Sequence, residues 1–264
     1  MRFSIFHVDA FTSELFAGNP AAVVPLDQWL PDDLLQKIAM ENNLSETAFF
    51  VKRGGLFELR WFTPAREVDL CGHATLATAF VLFSELNHPG KEIRFTTKSG
   101  ELIVRKNGQA FVMDFPLIES SPAGPEVARS LPADLRPIEV LTSKQDLVVV
   151  LKSESDVARF DPDKTSLRFN GHRGIGLTAK GDDVDFVSRF FYPELRIEED
   201  PVTGSAHCQL APYWSKRLGK TTLKARQISR RGGEIICEVK GERVFLTGTA
   251  TMYLTGEFRL PDLP

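Results

Sequence analysis

Cysteine is scarce in this chain, where three residues (Cys71, Cys208 and Cys237) occur among 264. The number is odd, and no pair has the C-x-x-C spacing of redox and zinc motifs. A disulfide framework is therefore disfavoured, and we expect reduced thiols in a cytoplasmic protein. The five histidines also lack metal-ligand spacing, so we expect no metal site.

Long apolar runs are missing as well. None approaches the roughly 20 residues that cross a bilayer as a helix, and residues 3–9 alternate like a strand rather than a signal peptide. Neither charge dominates, since 32 basic and 35 acidic residues give a net charge of −3. Without a basic cluster or an apolar span, we expect no nucleic-acid partner and no membrane partner.

A helix that is apolar on almost every side is predicted over residues 74–83. Such a helix must be buried in the fold. Its start carries Cys71, Gly72 and His73, and helix N-termini bind anions because their free N–H groups lie at the positive end of the helix dipole. We therefore interpret Gly72 and His73 as candidate ligand-binding residues. A core helix that merely starts with these residues stays the alternative.

A second stretch, residues 199–211, has the same design. An acidic turn precedes Thr203, Gly204 and Ser205, and a helix rich in small residues follows. This order of residues repeats that of Cys71-Gly72-His73 about half the chain earlier. We infer two similar halves, each with a buried helix whose N-terminus faces a shared cleft.

The predicted fold class is α+β, with two pseudo-symmetric lobes that each wrap a mostly antiparallel sheet around a central apolar helix. No parallel βαβ rhythm is evident between the predicted strands. Residues 116–137 are rich in Pro, Ser and Ala and are the predicted crossover between lobes. We place the N-terminal lobe at residues 1–116 and the C-terminal lobe at residues 117–264, with a last strand near 253–260 that can return to the first lobe.

The sharpest catalytic candidate is Glu46, a lone carboxylate between Asn43-Leu44-Ser45 and the apolar strand pattern of residues 47–51. A partly buried carboxylate in this position suits general acid/base catalysis. A strand-edge glutamate that is paired with a lysine or the backbone is the competing interpretation.

Four more residues are candidates for chemistry. His73 can donate a hydrogen bond or relay a proton, and Cys71 can act as a thiolate because a helix N-terminus lowers the pKa of a thiol. Asp200 can orient a substrate amine, and Ser205 can bind a substrate carboxylate at the helix start. Each also has a structural interpretation, respectively as a core or capping histidine, an inert buried cysteine, a turn residue and a helix cap.

Taken together, these motifs are similar to those of the PhzF-type phenazine-biosynthesis family, in the same order and over nearly the full length. The segments that carry the resemblance are Asp9-Ala10-Phe11-Thr12, Gly18-Asn19-Pro20-Ala21, Asn43-Leu44-Ser45-Glu46-Thr47, Arg60-Trp61-Phe62-Thr63-Pro64, Leu70-Cys71-Gly72-His73-Ala74 and Asp200-Pro201-Val202-Thr203-Gly204-Ser205.

The resemblance implies a diaminopimelate-epimerase-like fold with the active site in the cleft between the two lobes. It also implies a cofactor-free isomerisation, in which Glu46 moves a proton between carbons of a small carboxylated substrate. His73, Asp200 and Ser205 complete the implied catalytic set, and a homodimer is the expected assembly. The expected substrate-binding residues are Asn19, Ser45, Cys71, Gly72 and Gly204.

One position departs from the epimerases of this fold that carry a cysteine before each helix glycine. Cys71 matches the first position, but Thr203 occupies the second, and a threonine is a poor base for a carbon acid. Racemisation by two cysteines is therefore disfavoured. Three alternatives stay open, namely an epimerase or racemase with Glu46 and Cys71 as opposed bases, a binding module of the same fold, and a hydrolase with Cys71 as nucleophile.

Overall fold

A computed structural model describes residues 1–132, 135–144, 146–161, 171–192 and 197–261. Contacts divide the chain into two compact units. The first comprises Met1–Asp114 with Thr247–Pro264, and the second comprises Phe115–Leu246. The lobe boundary expected at residue 116 stays a prediction. Within the described ranges, no helix has both the length and the apolar character needed to cross a membrane.

Strands make up most of the regular structure. The strands up to the middle of the chain are β1 (Arg2–Ala10), β2 (Asn19–Leu26), β3 (Glu46–Arg53), β4 (Leu56–Phe62), β5 (Glu67–Val68), β6 (Glu92–Thr97), β7 (Gly100–Asn107), β8 (Ala110–Pro116) and β9 (Ser121–Pro122). The later strands are β10 (Glu139–Thr142), β11 (Asp146–Val150), β12 (Gly174–Lys180), β13 (Phe186–Tyr192), β14 (Ile197–Asp200), β15 (Thr222–Gln227), β16 (Gly233–Lys240), β17 (Arg243–Gly248) and β18 (Ala250–Arg259). The helices are α1 (Asp32–Asn42), α2 (Gly72–Phe80), α3 (Pro125–Ser130), α4 (Glu154–Arg159) and α5 (Gly204–Leu218), and a π-helical turn (Val81–Glu85) continues α2.

In the first unit, β1 lies between β18 and β2, and both pairings are antiparallel. The sheet continues from β2 through β3, β4 and β6 to β7 and β8. Helix α2 packs against β1, β2, β3 and β18, whereas α1 packs against β3 and β4. The predicted burial of the apolar helix is confirmed, since every residue from Gly72 to Ala79 is buried.

Alternation along two strands decides which side chains lie on the α2 side of this sheet. Ala22 and Val24 of β2, like Phe49 and Val51 of β3, belong to the core on the α1 side. Because successive residues of a strand point to opposite faces, Asn19 of β2 and Glu46 of β3 point to the α2 side. The alternation of the two strands thus places both polar side chains beside the start of α2.

In the second unit, β11 pairs in parallel with β12, and β13 pairs with β12, β14 and β15. Helix α4 packs on β12 and β13, and α5 packs on β15 and β16. Trp214 of α5 stacks on Phe186 with ring centroids 5.9 Å apart, and its Nε1 donates to Thr178 over 3.0 Å. Pro212 removes one N–H from α5, and the Cys208 carbonyl four residues earlier accepts instead from the N–H of Ile118.

The expectation that no parallel βαβ rhythm occurs is wrong. Four parallel strand pairs (β2–β3, β4–β6, β11–β12 and β13–β15) each enclose a helix in the connecting chain. A parallel pair needs such a long crossover, whereas an antiparallel pair is closed by a short turn. Strands such as β3 and β11 are buried on both faces, so their sequences lack the alternation that marks a half-exposed strand.

The predicted crossover over residues 116–137 contains the short elements β9 and α3, and its residues 133 and 134 lie outside the described ranges. The coarse part of the fold prediction is confirmed, because the chain is a mixed, sheet-dominated structure with a few helices.

Candidate active site

A glutamate and a histidine face each other at the start of α2. Glu46 is the first residue of β3 and 9% exposed, and His73 is the second residue of α2 and 4% exposed. Oε2 of Glu46 lies 3.1 Å from Nε2 of His73. Neither atom has an aligned hydrogen-bond partner among the described residues. Buried polar atoms are rarely left in this state, so the pair is suited to receive a ligand.

Two further side chains meet the other nitrogen of His73. Nδ2 of Asn19 lies 3.2 Å from Nδ1 of His73, and Sγ of Cys71 lies 3.5 Å from the same nitrogen. When Nδ1 accepts from Asn19, the proton of the neutral imidazole is on Nε2 and faces Glu46. The predicted residues Asn19, Glu46, Cys71 and His73 are therefore in contact within the first unit.

Burial and charge set the protonation of this cluster. Burial, with the nearby charge of Glu46, raises the pKa of the Cys71 thiol to about 11. Burial alone would lower the pKa of His73, but the neighbouring Cys71 and Glu46 raise it well above 6.5. Because a thiol with that pKa is neutral at pH 7, the Glu46 carboxylate is the charge that favours the imidazolium. Burial therefore favours the interpretation of Cys71 as an inert buried cysteine over that of a reactive thiolate.

Glu46, Cys71 and His73 offer ligand-type atoms within 4.8 Å of one another. However, His73 presents Nε2 to Glu46 and Nδ1 to Cys71. An ion held by one ring nitrogen would lie on the opposite edge of the imidazole from the residue at the other nitrogen. The geometry favours a chain of contacts through the two sides of the imidazole over a site in which all three residues bind one metal ion.

The N-termini of α2 and α5 lack the side-chain hydrogen bond that usually caps a helix. Their preceding residues, Cys71 and Thr203, are buried, so water has little access there. By contrast, Ser153 caps α4 by accepting from the N–H of Asp156. Uncapped N–H groups at a buried helix start form an anion-binding arrangement.

At the start of α5, hydrogen bonds fix the acidic turn. Thr203 donates through Oγ1 to Oδ2 of Asp200 over 2.6 Å. The buried Gln227 donates to the Asp200 carbonyl over 2.6 Å and accepts from the Thr203 N–H over 2.9 Å. The carboxylate of Asp200 is thereby held in place beside α5, and Thr203 acts as a structural partner for it.

Ser205, in the first turn of α5, contacts residues that the sequence did not suggest. Arg173 donates to Oγ of Ser205 over 3.2 Å, and it also donates to both carboxylate oxygens of Asp146, over 3.1 and 2.7 Å. Tyr192 donates to the same carboxylate over 3.3 Å. Asp146 opens a buried apolar strand, just as Glu46 does, and this pattern was the available signal.

The remaining predicted residues have simpler positions. Ser45 precedes β3 and is partly buried, Gly72 is the first residue of α2, and Gly204 is the first residue of α5. His207 is fully buried with Nδ1 2.8 Å from the Thr203 carbonyl, and burial lowers its pKa to about 4. It is therefore neutral at pH 7 and is a structural residue of α5.

Comparison with known proteins places these features in a family. A family model described as "Phenazine biosynthesis-like protein" matches residues 8–256. A Pseudomonas aeruginosa protein named as an uncharacterized isomerase is 50% identical over 260 residues, which cover 98% of this chain and 100% of that protein.

Two solved structures are also similar to this chain. A PhzF-family phenazine biosynthesis protein from Enterococcus faecalis superposes with a TM-score of 0.91 at 51% identity, covering 98% of this chain and 100% of that chain. A hydroxyproline epimerase from Agrobacterium vitis superposes with a TM-score of 0.61 at 10% identity, covering 99% of this chain and 93% of that chain. The second likeness concerns the fold alone.

Proposed function

Because this chain belongs to the phenazine biosynthesis-like family and is an isomerase, we propose that it moves a proton between carbons of a small carboxylated metabolite, with Glu46 as the general acid/base. The observation that carries the proposal is the buried pair of Glu46 Oε2 and His73 Nε2, which lie 3.1 Å apart without an aligned hydrogen bond. A carboxylate in this setting can accept a proton from a carbon acid and return it.

His73 supports the reaction in two ways. Its charged form stabilises the carboxylate of Glu46 before the proton is taken, and its Nε2–H can donate to negative charge that develops on the substrate. In the charged form Nδ1–H can donate to Sγ of Cys71, whereas in the neutral form Nδ1 accepts from Asn19, and these contacts hold the ring in this orientation. No cofactor is required in this scheme, because Glu46 and His73 supply the proton transfer and the charge stabilisation themselves.

Substrate carboxylate is bound by uncapped helix N–H groups. The buried start of α2 supplies Gly72 and His73, and the start of α5 supplies Gly204 together with the hydroxyl of Ser205. Asp200 acts on a polar group of the substrate, for example an amino or hydroxyl group. Ser45, just before Glu46, also binds the substrate. These roles are supported by the burial of both helix starts and the fixed position of Asp200.

The proposed fold assignment is diaminopimelate-epimerase-like, with two pseudo-symmetric lobes. It is supported by the fold likeness to a hydroxyproline epimerase and by the occurrence in each unit of a mixed sheet packed against a buried helix. A homodimer in the cytoplasm is the proposed assembly and location.

An epimerase that uses Glu46 and Cys71 as two opposed bases is the second candidate. The presence of both side chains in one buried cluster, with ligand-type atoms within 4.8 Å of one another, favours it. Against it, the thiol of Cys71 has a pKa of about 11 and is neutral at pH 7. A single-base isomerase therefore explains the cluster better.

Hydrogen exchange tests the proposal. The protein is incubated in D₂O with L-proline, L-lactate, benzoate and dihydrobenzoate, and C–H signals are followed by NMR beside the Glu46→Gln variant. We expect deuterium to enter one carbon of at least one acid with the wild type only. Equal exchange by both proteins would refute the role of Glu46. Absence of exchange and of any ligand-induced rise in melting temperature would favour a binding module for another kind of partner.

A further inference from the structure

We propose that Arg173 is a positioning residue that directs the Ser205 hydroxyl toward the substrate carboxylate. This inference rests on the proposed function, in which Ser205 binds that carboxylate. The carrying observation is that Nη2 of Arg173 donates to Oγ of Ser205 over 3.2 Å while the guanidinium is held by Asp146.

The guanidinium is anchored firmly. It binds Asp146 through two parallel hydrogen bonds of 3.1 and 2.7 Å, and the Asp146 side chain is 2% exposed. The guanidinium also lies 5.1 Å from the centroid of the Tyr192 ring, and the Tyr192 hydroxyl donates to Asp146. Burial raises the pKa of Tyr192 well above 10, so its hydroxyl keeps the proton for this bond. Bidentate pairing and ring stacking both fix the plane of an arginine.

The direction of the serine hydrogen follows from this anchoring. An arginine can only donate, so Ser205 Oγ is the acceptor in this contact. The hydroxyl hydrogen of Ser205 must then point away from Arg173, and it donates to no acceptor among the described residues. Because the donor to Oγ is charged, the bond polarises the hydroxyl and strengthens its own donation to an anion.

Arg173 is poorly suited to bind the anion by itself. Its side chain is 34% exposed, but its charge is compensated by the paired Asp146 and by the nearby Asp200. The Nε and Nη2 donors of the guanidinium are also already used by Asp146 and Ser205. The arrangement therefore favours an indirect role, in which Arg173 acts through the neutral hydroxyl of Ser205.

A double-mutant cycle tests this inference with the acid that exchanges fastest in D₂O among L-proline, L-lactate, benzoate and dihydrobenzoate. The proteins are the wild type, Arg173→Gln, Ser205→Ala and the double variant. Arg173→Gln removes a hydrogen bond from a charged group, so KM should rise by roughly tenfold while kcat changes little. In the Ser205→Ala background the same substitution should raise KM by less than about twofold, because Ser205, through which Arg173 acts, is already removed.

Arg189→Gln is the matched control. Arg189 also forms a two-bond pair, with Glu199, and lies 5.1 Å from the centroid of the Phe191 ring. Among the described residues, its hydrogen bonds go to Glu199 and to backbone carbonyls between residues 157 and 160, and none goes to Ser205. Its loss should therefore change stability without raising KM. The KM of Arg173→Lys should lie between those of the wild type and Arg173→Gln, since lysine keeps a donor but loses the planar pairing.

The outcomes separate the two proposals. Independent, multiplicative effects of Arg173→Gln and Ser205→Ala on KM would overturn the positioning role and leave the isomerase proposal intact. An equal rise in KM for Arg189→Gln would also overturn it. If the wild type neither binds nor exchanges any of the four acids, the proposed function fails first, and the inference fails with it.

Discussion

The starts of α2 and α5 have the same sequence design, yet their side chains are connected differently. At α2, Glu46 and His73 are buried, 3.1 Å apart and without an aligned hydrogen bond between them. At α5, hydrogen bonds join Asp200 to Thr203 and join Ser205 through Arg173 to Asp146. At α2, the titratable groups of Glu46 and His73 are thus available to a ligand. At α5, the polar groups are held in place by hydrogen bonds to one another. This difference favours proton transfer at α2 and substrate orientation at α5.

The largest expected effect contrasts one carboxylate from each set. Glu46→Gln should lower kcat for C–H exchange by about 10²–10⁴-fold, the usual contribution of a general acid/base. Asp200→Asn should act mainly on KM, because Asp200 orients the substrate in this account. Steady-state exchange rates measured by NMR provide both constants. Glu41→Gln, at an exposed position of α1, is the control and should leave both constants unchanged. A larger loss of kcat in Asp200→Asn would reverse the comparison.

A smaller effect is expected from overpacking the α5 set. A Cβ on Gly174 would lie 2.1 Å from the Tyr192 ring, which supports Asp146. Gly174→Ala should therefore lower the free energy of unfolding by about 1–3 kcal/mol, as overpacked cores do. Gly55→Ala is the control, because nothing lies within 4 Å of its added methyl group. Urea denaturation of both variants measures the difference, and equal stability of the two would contradict the packing described for Tyr192.

The two buried histidines should give pH dependences of opposite sign. The pKa of His73 is raised above 6.5 in the folded protein, so its stabilising contribution is complete below pH 6.5 and is lost as the pH rises through the folded pKa. The pKa of His207 is lowered to about 4, so the fold loses stability as the pH falls from 6.5 toward 4.

Denaturation of the wild type, His73→Gln and His207→Gln between pH 4 and pH 9 checks both signs. The wild-type advantage over His73→Gln should shrink above pH 6.5, and the advantage over His207→Gln should grow between pH 4 and pH 6.5. If the wild-type stability advantage over both variants changed with pH in the same direction, the electrostatic difference between the two helix starts would be contradicted.

The smallest effect is expected at Cys71. A neutral, buried thiol is not a base, so Cys71→Ser should reduce exchange by far less than the roughly 10²-fold that loss of a second base would produce. Thiol titration of the native protein at pH 8 should also leave Cys71 unmodified, since its pKa is about 11. A loss of activity as large as that of Glu46→Gln would restore the two-base epimerase as the better account.

Local pattern was sufficient to predict the burial of α2 and the position of Glu46 at the entry to a buried strand. The all-apolar helix predicted its own burial, and Glu46 is the first residue of a strand that is buried through Val51. The same reasoning missed the parallel crossovers, because fully buried strands do not alternate. The sequence left two interpretations of Cys71 open, and burial of its thiol favours the structural one.

The Arg173–Asp146 pair was not predicted for a different reason. The two residues are 27 positions apart, and no spacing rule joins them before β11 and β12 pair in parallel. Motifs within one turn or strand can be found in the sequence, whereas ion pairs that depend on strand register require the tertiary structure.

The central claim is that one residue, Glu46, both removes and returns the proton. The most direct measurement uses an exchanging acid that is deuterated at the reacting carbon, turned over once in H₂O and analysed by NMR or mass spectrometry. With a single base that is 9% exposed, part of the deuterium should appear at the new position in the product. A product that carries only solvent hydrogen, together with unchanged turnover in Glu46→Gln, would contradict the account.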